Sequence, residues 1–216
     1  MEQKKYEFTG ETKVVNGLTL KRIKAIVNFS NIVAGELGGW IEKEDNLDQS
    51  GDAWVSGNAE VYGDARVSGN AEVYGDARVS GNAEVSGNAE VSGNAEVYGD
   101  AWVSGNAEVS GNAEVYGDAR VSGNAEVSGN AEVSNIRQIL VIGPIGSRNS
   151  YTTFTYSKDK VIKVRCGCFF GTIDEFLVKV KETHGNSKHA FAYRAAVEVA
   201  KIQIDISSDN EIEETK

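Results

Sequence analysis

From Gly51 to Ser134 the apolar positions keep a period of six. Each hexad reads Gly, Asn/Asp, Ala, Glu/Arg/Trp, Val, Ser/Tyr, and fourteen of them follow without a break. Ala and Val stand two residues apart, so they share one face of a short strand, and the residue between them points the other way. Gly with Asn or Asp supplies a corner, because both tolerate left-handed backbone angles. A short strand followed by a sharp corner, repeated, predicts one side of a polygonal coil, and hexad periods of this kind are a signature of parallel β-helices.

Read from Val, the hexad is V-S/Y-G-N/D-A-x. It resembles the left-handed parallel β-helix family, in which an aliphatic residue is followed four positions later by a small one. That family closes a triangular coil every three hexads, which implies that residues 18 apart stack in columns ~4.8 Å apart. The first face then carries Trp54, Glu72, Glu90, Glu108 and Glu126. The second carries Glu60, Arg78, Glu96, Glu114 and Glu132, and the third Arg66, Glu84, Trp102 and Arg120. On this placement the midpoints of all three faces point outward, and Trp54 and Trp102 read as drift of a duplicated unit, since Arg and Trp interchange by one base.

The ends read differently. In residues 1–50 an Asn16-Gly17 turn between apolar alternations predicts a β-hairpin. The stretch "GELGGWIEKEDNLDQS" reads as an irregular first coil, so this segment is expected to cap the helix, whose open edges would otherwise polymerise. Beyond Ser134, "IRQILVIG", "SYTTFTYS" and "KVIKVRCG" read as strands. "TIDEFLVKVKETHG" has Thr172 as N-cap and Gly185 past its end, and "SKHAFAYRAAVEVAKIQ" predicts a second helix. The expected fold is mainly β: a left-handed parallel β-helix over 51–134, an N-terminal β cap over 1–50, a small α+β domain over 135–206, and a disordered acidic tail over 207–216.

The net charge of −10 argues against direct nucleic-acid binding, which needs a Lys/Arg footprint. It suits a basic partner. The first ten residues lack the apolar core of a signal peptide, and the longest aliphatic run, Ile139–Ile142, is far too short for a membrane span. With only two cysteines, Cys166 and Cys168, two positions apart, no disulfide framework is expected, and the chain reads as cytoplasmic.

"KYEFTGET", "LGGWIE", the GNA/GDA hexads and "IGSRNSYTTF…VRCGCFFGTIDEF…ETHG" are similar to hexapeptide-repeat proteins of bacteriophages and prophages. Those relatives are often labelled transferase-like from the β-helix. The resemblance implies a viral protein in the host bacterial cytoplasm, and a homo-oligomer, a trimer among the options. Transferases of this fold use a histidine base at a subunit boundary; the repeat holds none, since His184 and His189 lie outside it, so a non-enzyme is expected.

Four sets of residues are singled out. Ser147, Arg148, Asn149 and Thr152, with Arg165 on a plausible neighbouring strand, form a glycine-containing loop that can cradle a phosphate or small nucleotide. Cys166, Cys168, His184 and His189 have the types and number of a zinc site, although C-x-C departs from the usual spacing; the alternative is that both thiols pack as small hydrophobes on one strand face. Tyr98 and Tyr116 fall in adjacent coils and can stack a ligand or a partner side chain. Glu72, Glu90, Glu108 and Glu126 with Glu96, Glu114 and Glu132 form a carboxylate surface that suits a basic groove, as a mimic of nucleic acid. The leading expectation is therefore a scaffold or inhibitor that binds a basic host protein, plausibly a nucleic-acid-binding defence component. Ligand sequestration by the C-terminal domain, a virion component and a trimeric transferase-like enzyme are the alternatives. No cofactor is expected.

Overall fold

A computed structural model describes residues 4–204. The tail expected over 207–216 lies outside the described residues. Each hexad contributes one two-residue strand, from β4 (Trp54–Val55) to β17 (Glu132–Val133). The strands sort into three parallel columns 18 residues apart: Trp54 pairs with Glu72, Glu60 with Arg78 and Arg66 with Glu84. The chain is thus a three-sided β-solenoid with three hexads per coil. All fourteen Val and fourteen Ala are buried in its interior. At ~1.5–3 kcal/mol per buried Val, this continuous core is the main stabilising term of the body.

Two features fix the corners. Gly81 sits at φ +68°, and a Cβ there would lie 2.9 Å from the Gly99 nitrogen of the next coil, so Gly is required both by conformation and by close approach. Beside it the Asn side chains bond along the axis, as in Asn70 to Asn88, Asn88 to Asn106 and Asn106 to Asn124, at 2.9–3.1 Å.

The hydrogen-bond ladder has a direction. Backbone N–H groups of one coil donate to carbonyls of the following coil, as Glu72 does to Ala89 and Glu90 to Ala107, both at 2.9 Å. The first coil therefore presents spare carbonyls and the last coil spare N–H groups. At the N-terminal end β1 (Tyr6–Val15) and β2 (Leu18–Ala25) form the hairpin around Asn16 and Gly17, and β3 (Leu37–Ile41) pairs parallel with Glu60–Val61. Lys5 inserts its ammonium among the carbonyls of Ser50, Gly51 and Ala53 at 3.3, 3.1 and 2.8 Å. Burial lowers its pKa to about 8. The expectation that Trp54 is an outward, drifting position is corrected: the cap folds over it, leaving it 3% exposed, edge-on to Tyr6 and Phe29.

At the other end four antiparallel strands follow: β18 (Ile139–Ile145), β19 (Ser150–Tyr156), β20 (Ile162–Cys166) and β21 (Phe169–Thr172). One sheet face, with Phe154, Val164 and Cys166, packs on α1 (Ile173–His184) and α2 (Lys188–Gln203). The other face meets the solenoid end. There Thr153 Oγ1 accepts from the Glu126 N–H at 3.0 Å, and Gln138 Oε1 from the Ser134 N–H at 2.7 Å. Thr172 caps α1 as its sequence implies, in a reciprocal box with Glu175.

Candidate functional site

A pocket of about 250 Å³ opens between the β20–β21 turn, α1 and α2. Phe169, Phe176, Val180 and Tyr193 supply its apolar wall, and Arg148, Lys179 and His184 its basic groups. No carboxylate is among the described residues that line it, in a chain of net charge −10.

Backbone geometry at two glycines places these groups. The β18–β19 hairpin ends in a four-residue turn, 146–149, with Gly146 at φ +74°. A Cβ on Gly146 would fall 1.8 Å from the Tyr193 hydroxyl, so Tyr193 reaches the pocket only because this residue is Gly. Gly167, at φ +58°, lies under the Arg148 guanidinium, where a Cβ would come within 2.8 Å of Nη2. On α1, Phe176, Val180 and His184 recur every four residues, so His184 extends the inward face of the helix to the pocket rim. Its ring lies 5.6 Å from that of Tyr193 and 6.0 Å from that of His189.

Beneath the pocket, Thr152 Oγ1 donates to Cys166 Sγ at 3.3 Å, and Cys166 Sγ donates to the Tyr193 hydroxyl at 3.8 Å. Burial, with the Cys166 sulfur beside it, pushes the Tyr193 phenol up to about 12, so it remains a proton donor at neutral pH.

The loop expected to bind a phosphate is divided by the structure. Arg148 lines the pocket; Ser147 and Asn149 are exposed at the turn, and Thr152 is buried beneath it. Arg165 does not join Arg148. Strand alternation sends Val164 and Cys166 to the helices, and Arg165 to the opposite face, where Nε bonds Glu126 Oε2 at 2.9 Å. Cys166 and Cys168 do not share a strand face either: Cys166 ends β20 buried, and Cys168 is exposed in the turn. Cys166, Cys168 and His184 line the pocket and His189 does not. Among the described residues, no three His, Cys, Asp or Glu side chains are grouped to hold a metal ion. Lys179, Phe169 and Tyr193 escaped the sequence reading; the four-residue spacing of Phe176, Val180 and His184 was the available signal.

The carboxylate surface is partly engaged. On the second face Arg78 pairs with Glu96, Lys158 with Glu114, and Tyr116 donates to Glu132 at 2.7 Å. On the first, Glu126 is held by Arg165 and Glu90 accepts from the Tyr74 hydroxyl at 3.0 Å, while Glu72 and Glu108 stand opposite Glu90 on either side. Tyr98 and Tyr116 stack on each other, centroids 5.0 Å apart and planes within 4°; Tyr98 donates to Glu114 at 3.3 Å. Burial first, then Glu114, pushes the Tyr98 phenol up to about 12. A concavity of about 590 Å³ forms a step at the start of the third face, lined by Glu44, Asp45, Asp48 and Glu84 around Arg66.

Fold and repeat together define a hexapeptide-repeat β-helix protein. No family model matches the chain. Over 54 residues the chain is 37% identical to an uncharacterised acetyltransferase, YdcK, of Escherichia coli (strain K12). The match covers 25% of this chain and 16% of that protein. The expectation of a non-enzyme is thereby corrected, because a relative named as an acetyltransferase points to an enzyme. That expectation rested on the absence of histidine from the repeat, yet His184 stands at a pocket outside the repeat. No helix among the described residues is long and apolar enough to cross a membrane.

Proposed function

We propose that the C-terminal pocket binds a small anionic substrate with an apolar or planar body, and that the chain uses it in group transfer. The observation that carries this reading is the lining: Arg148, Lys179 and His184 above an aromatic wall, with no carboxylate in the lining itself, although Lys179 also pairs with Glu182 one helix turn on at 3.5 Å. Arg148 supplies a planar fork for a phosphate or carboxylate, and Lys179 a mobile second charge. His184 is the proton acceptor available to an incoming nucleophile. The volume of about 250 Å³ suits a small group or the end of a longer molecule. The acetyltransferase name of the relative supports transfer as the reaction type. Thermal melting with inorganic phosphate, AMP and acetyl-coenzyme A tests it. A phosphate-bearing probe should raise the melting temperature of the wild type, and of Arg165→Ala relative to its own baseline, but not of Arg148→Ala. Equal gains in the wild type and Arg148→Ala would place binding elsewhere.

A second reading is favoured by the Glu72, Glu90 and Glu108 ladder, in which like charges face one another and Glu90 is relieved only by the Tyr74 hydroxyl at 3.0 Å. This face would dock on a basic host protein, in keeping with the resemblance to phage and prophage chains. Converting the three to Gln should weaken capture of a basic host protein at low salt and leave the melting temperature unchanged or higher. Unchanged capture, insensitive to salt, removes this reading.

A further inference from the structure

Helix α2 is apolar on two sides. Ala190, Tyr193, Ala196, Val197 and Ala200 face the domain core. The opposite side carries a second stripe, Phe191, Ala195, Val199 and Ile202, all exposed to solvent. Phe191 is 58%, Val199 48% and Ile202 85% exposed. At 3.6 residues per turn these four fall within about 80° of the helix circumference. A solvent-facing helix normally turns polar residues outward, so a continuous apolar stripe over three turns marks a contact surface.

We propose that the stripe is the seam of a dimer in which two copies of α2 pack antiparallel about a two-fold axis near Ala196 and Val197. The occupant is identified by self-complementarity. In that arrangement Phe191 meets Ile202 of the second copy and the small Ala195 meets Val199. Arg194 and Glu198 lie together on one flank of the stripe, and a two-fold axis brings that flank against itself. Arg194 of each copy then comes level with Glu198 of the other, forming two symmetric ion pairs at the rim. Arg194 already lies over the Phe191 ring at 5.6 Å and donates to the Gly185 carbonyl at 3.1 Å, and Glu198 has Lys201 at 3.1 Å. Both charges are therefore held beside the seam. The buried stripe is short, so the dimer should dissociate on dilution, unlike an obligate assembly. It uses no solenoid face and leaves the Arg148 pocket unaltered.

Sedimentation velocity on the full chain tests the pairing. The wild type should show a concentration-dependent monomer–dimer equilibrium. Arg194→Glu and Glu198→Arg, each alone, place like charges across the axis twice and should raise the dissociation midpoint at least ~10-fold. An equimolar mixture of the two should recover the dimer, because the mixed pair regains both complementary contacts. Matching thermal melts would show that each variant is folded. Ile202→Glu should be monomeric alone and in every mixture. A wild type that stays monomeric at all concentrations, with Ile202→Glu lowering its melting temperature, would mean that the chain covers its own stripe, residues 205–216 being the segment at hand, and overturns the proposal. So would a dimer indifferent to both charge reversals, or variants that fail to recover on mixing.

Discussion

The glutamates of the repeat are sorted by their neighbours. Where the preceding coil offers a Tyr hydroxyl or the C-terminal domain a cation, the charge is taken up, as at Glu114 by Tyr98 and Lys158. Glu108 has no such relief: it faces Glu90 on one side and Glu126 on the other. Burial, then Glu126 and Glu90, push its carboxyl above the usual range, with Arg165 opposing. The folded chain therefore takes up a proton at a higher pH than the unfolded chain. Stability falls as pH rises through that interval, and the ionised Glu108 is a cost at neutrality. Glu108→Gln should raise the melting temperature at pH 7, and the gain should shrink as pH falls below the raised pKa. A gain equal at all pH values, or a loss, would show that the ladder is fully screened. The pairs of the ladder were readable from the hexad period together with the three-hexad coil that the family resemblance implies, which stacks residues 18 apart. The neutralisation of Glu126 was not, because it depends on which face of β20 turns to the solenoid.

At the level of elements, the direction of the solenoid's ladder dictates what each end must supply. The first coil needs donors, and Lys5 with Tyr6 and Asn46 provides them; the Asn46 side-chain amide donates to the Gly63 and Ala65 carbonyls at 3.1 and 2.9 Å. The last coil needs acceptors, and Thr153 and Gln138 provide those. Lys5→Met keeps the apolar stem but leaves three carbonyls without their donor. It should lower unfolding free energy by roughly 1–3 kcal/mol, as an unmade buried hydrogen bond does. Denaturant unfolding checks this, and an unchanged midpoint would mean that the ammonium's own desolvation cancels its bonds. The solenoid, the hairpin and the capped helices follow from short-range rules of period, turn chemistry and capping. Lys5 and Trp54 could not be assigned that way. Their roles arise from contacts more than 20 residues apart, made only after the cap closes on a coil whose polarity has been set.

Across the whole molecule the repeat body is regular, and the irregular chemistry is concentrated in the C-terminal domain. Arg148 was legible as a candidate because a glycine-containing turn carries it. Its companions in the pocket lining, Lys179 and His184, come from a helix 30 or so residues onward, and only tertiary packing brings them together. The solenoid supplies a rigid base to which the domain's sheet is bonded through Thr153, Arg165 and Lys158. Isothermal titration of AMP and of acetyl-coenzyme A into the wild type and into Arg148→Ala with Lys179→Ala tests the central claim most directly. Saturable binding of at least one ligand by the wild type, lost in the double variant while its fold persists, is the expected result. Absence of binding to the wild type, or affinity that survives both substitutions, would contradict the assignment of the pocket.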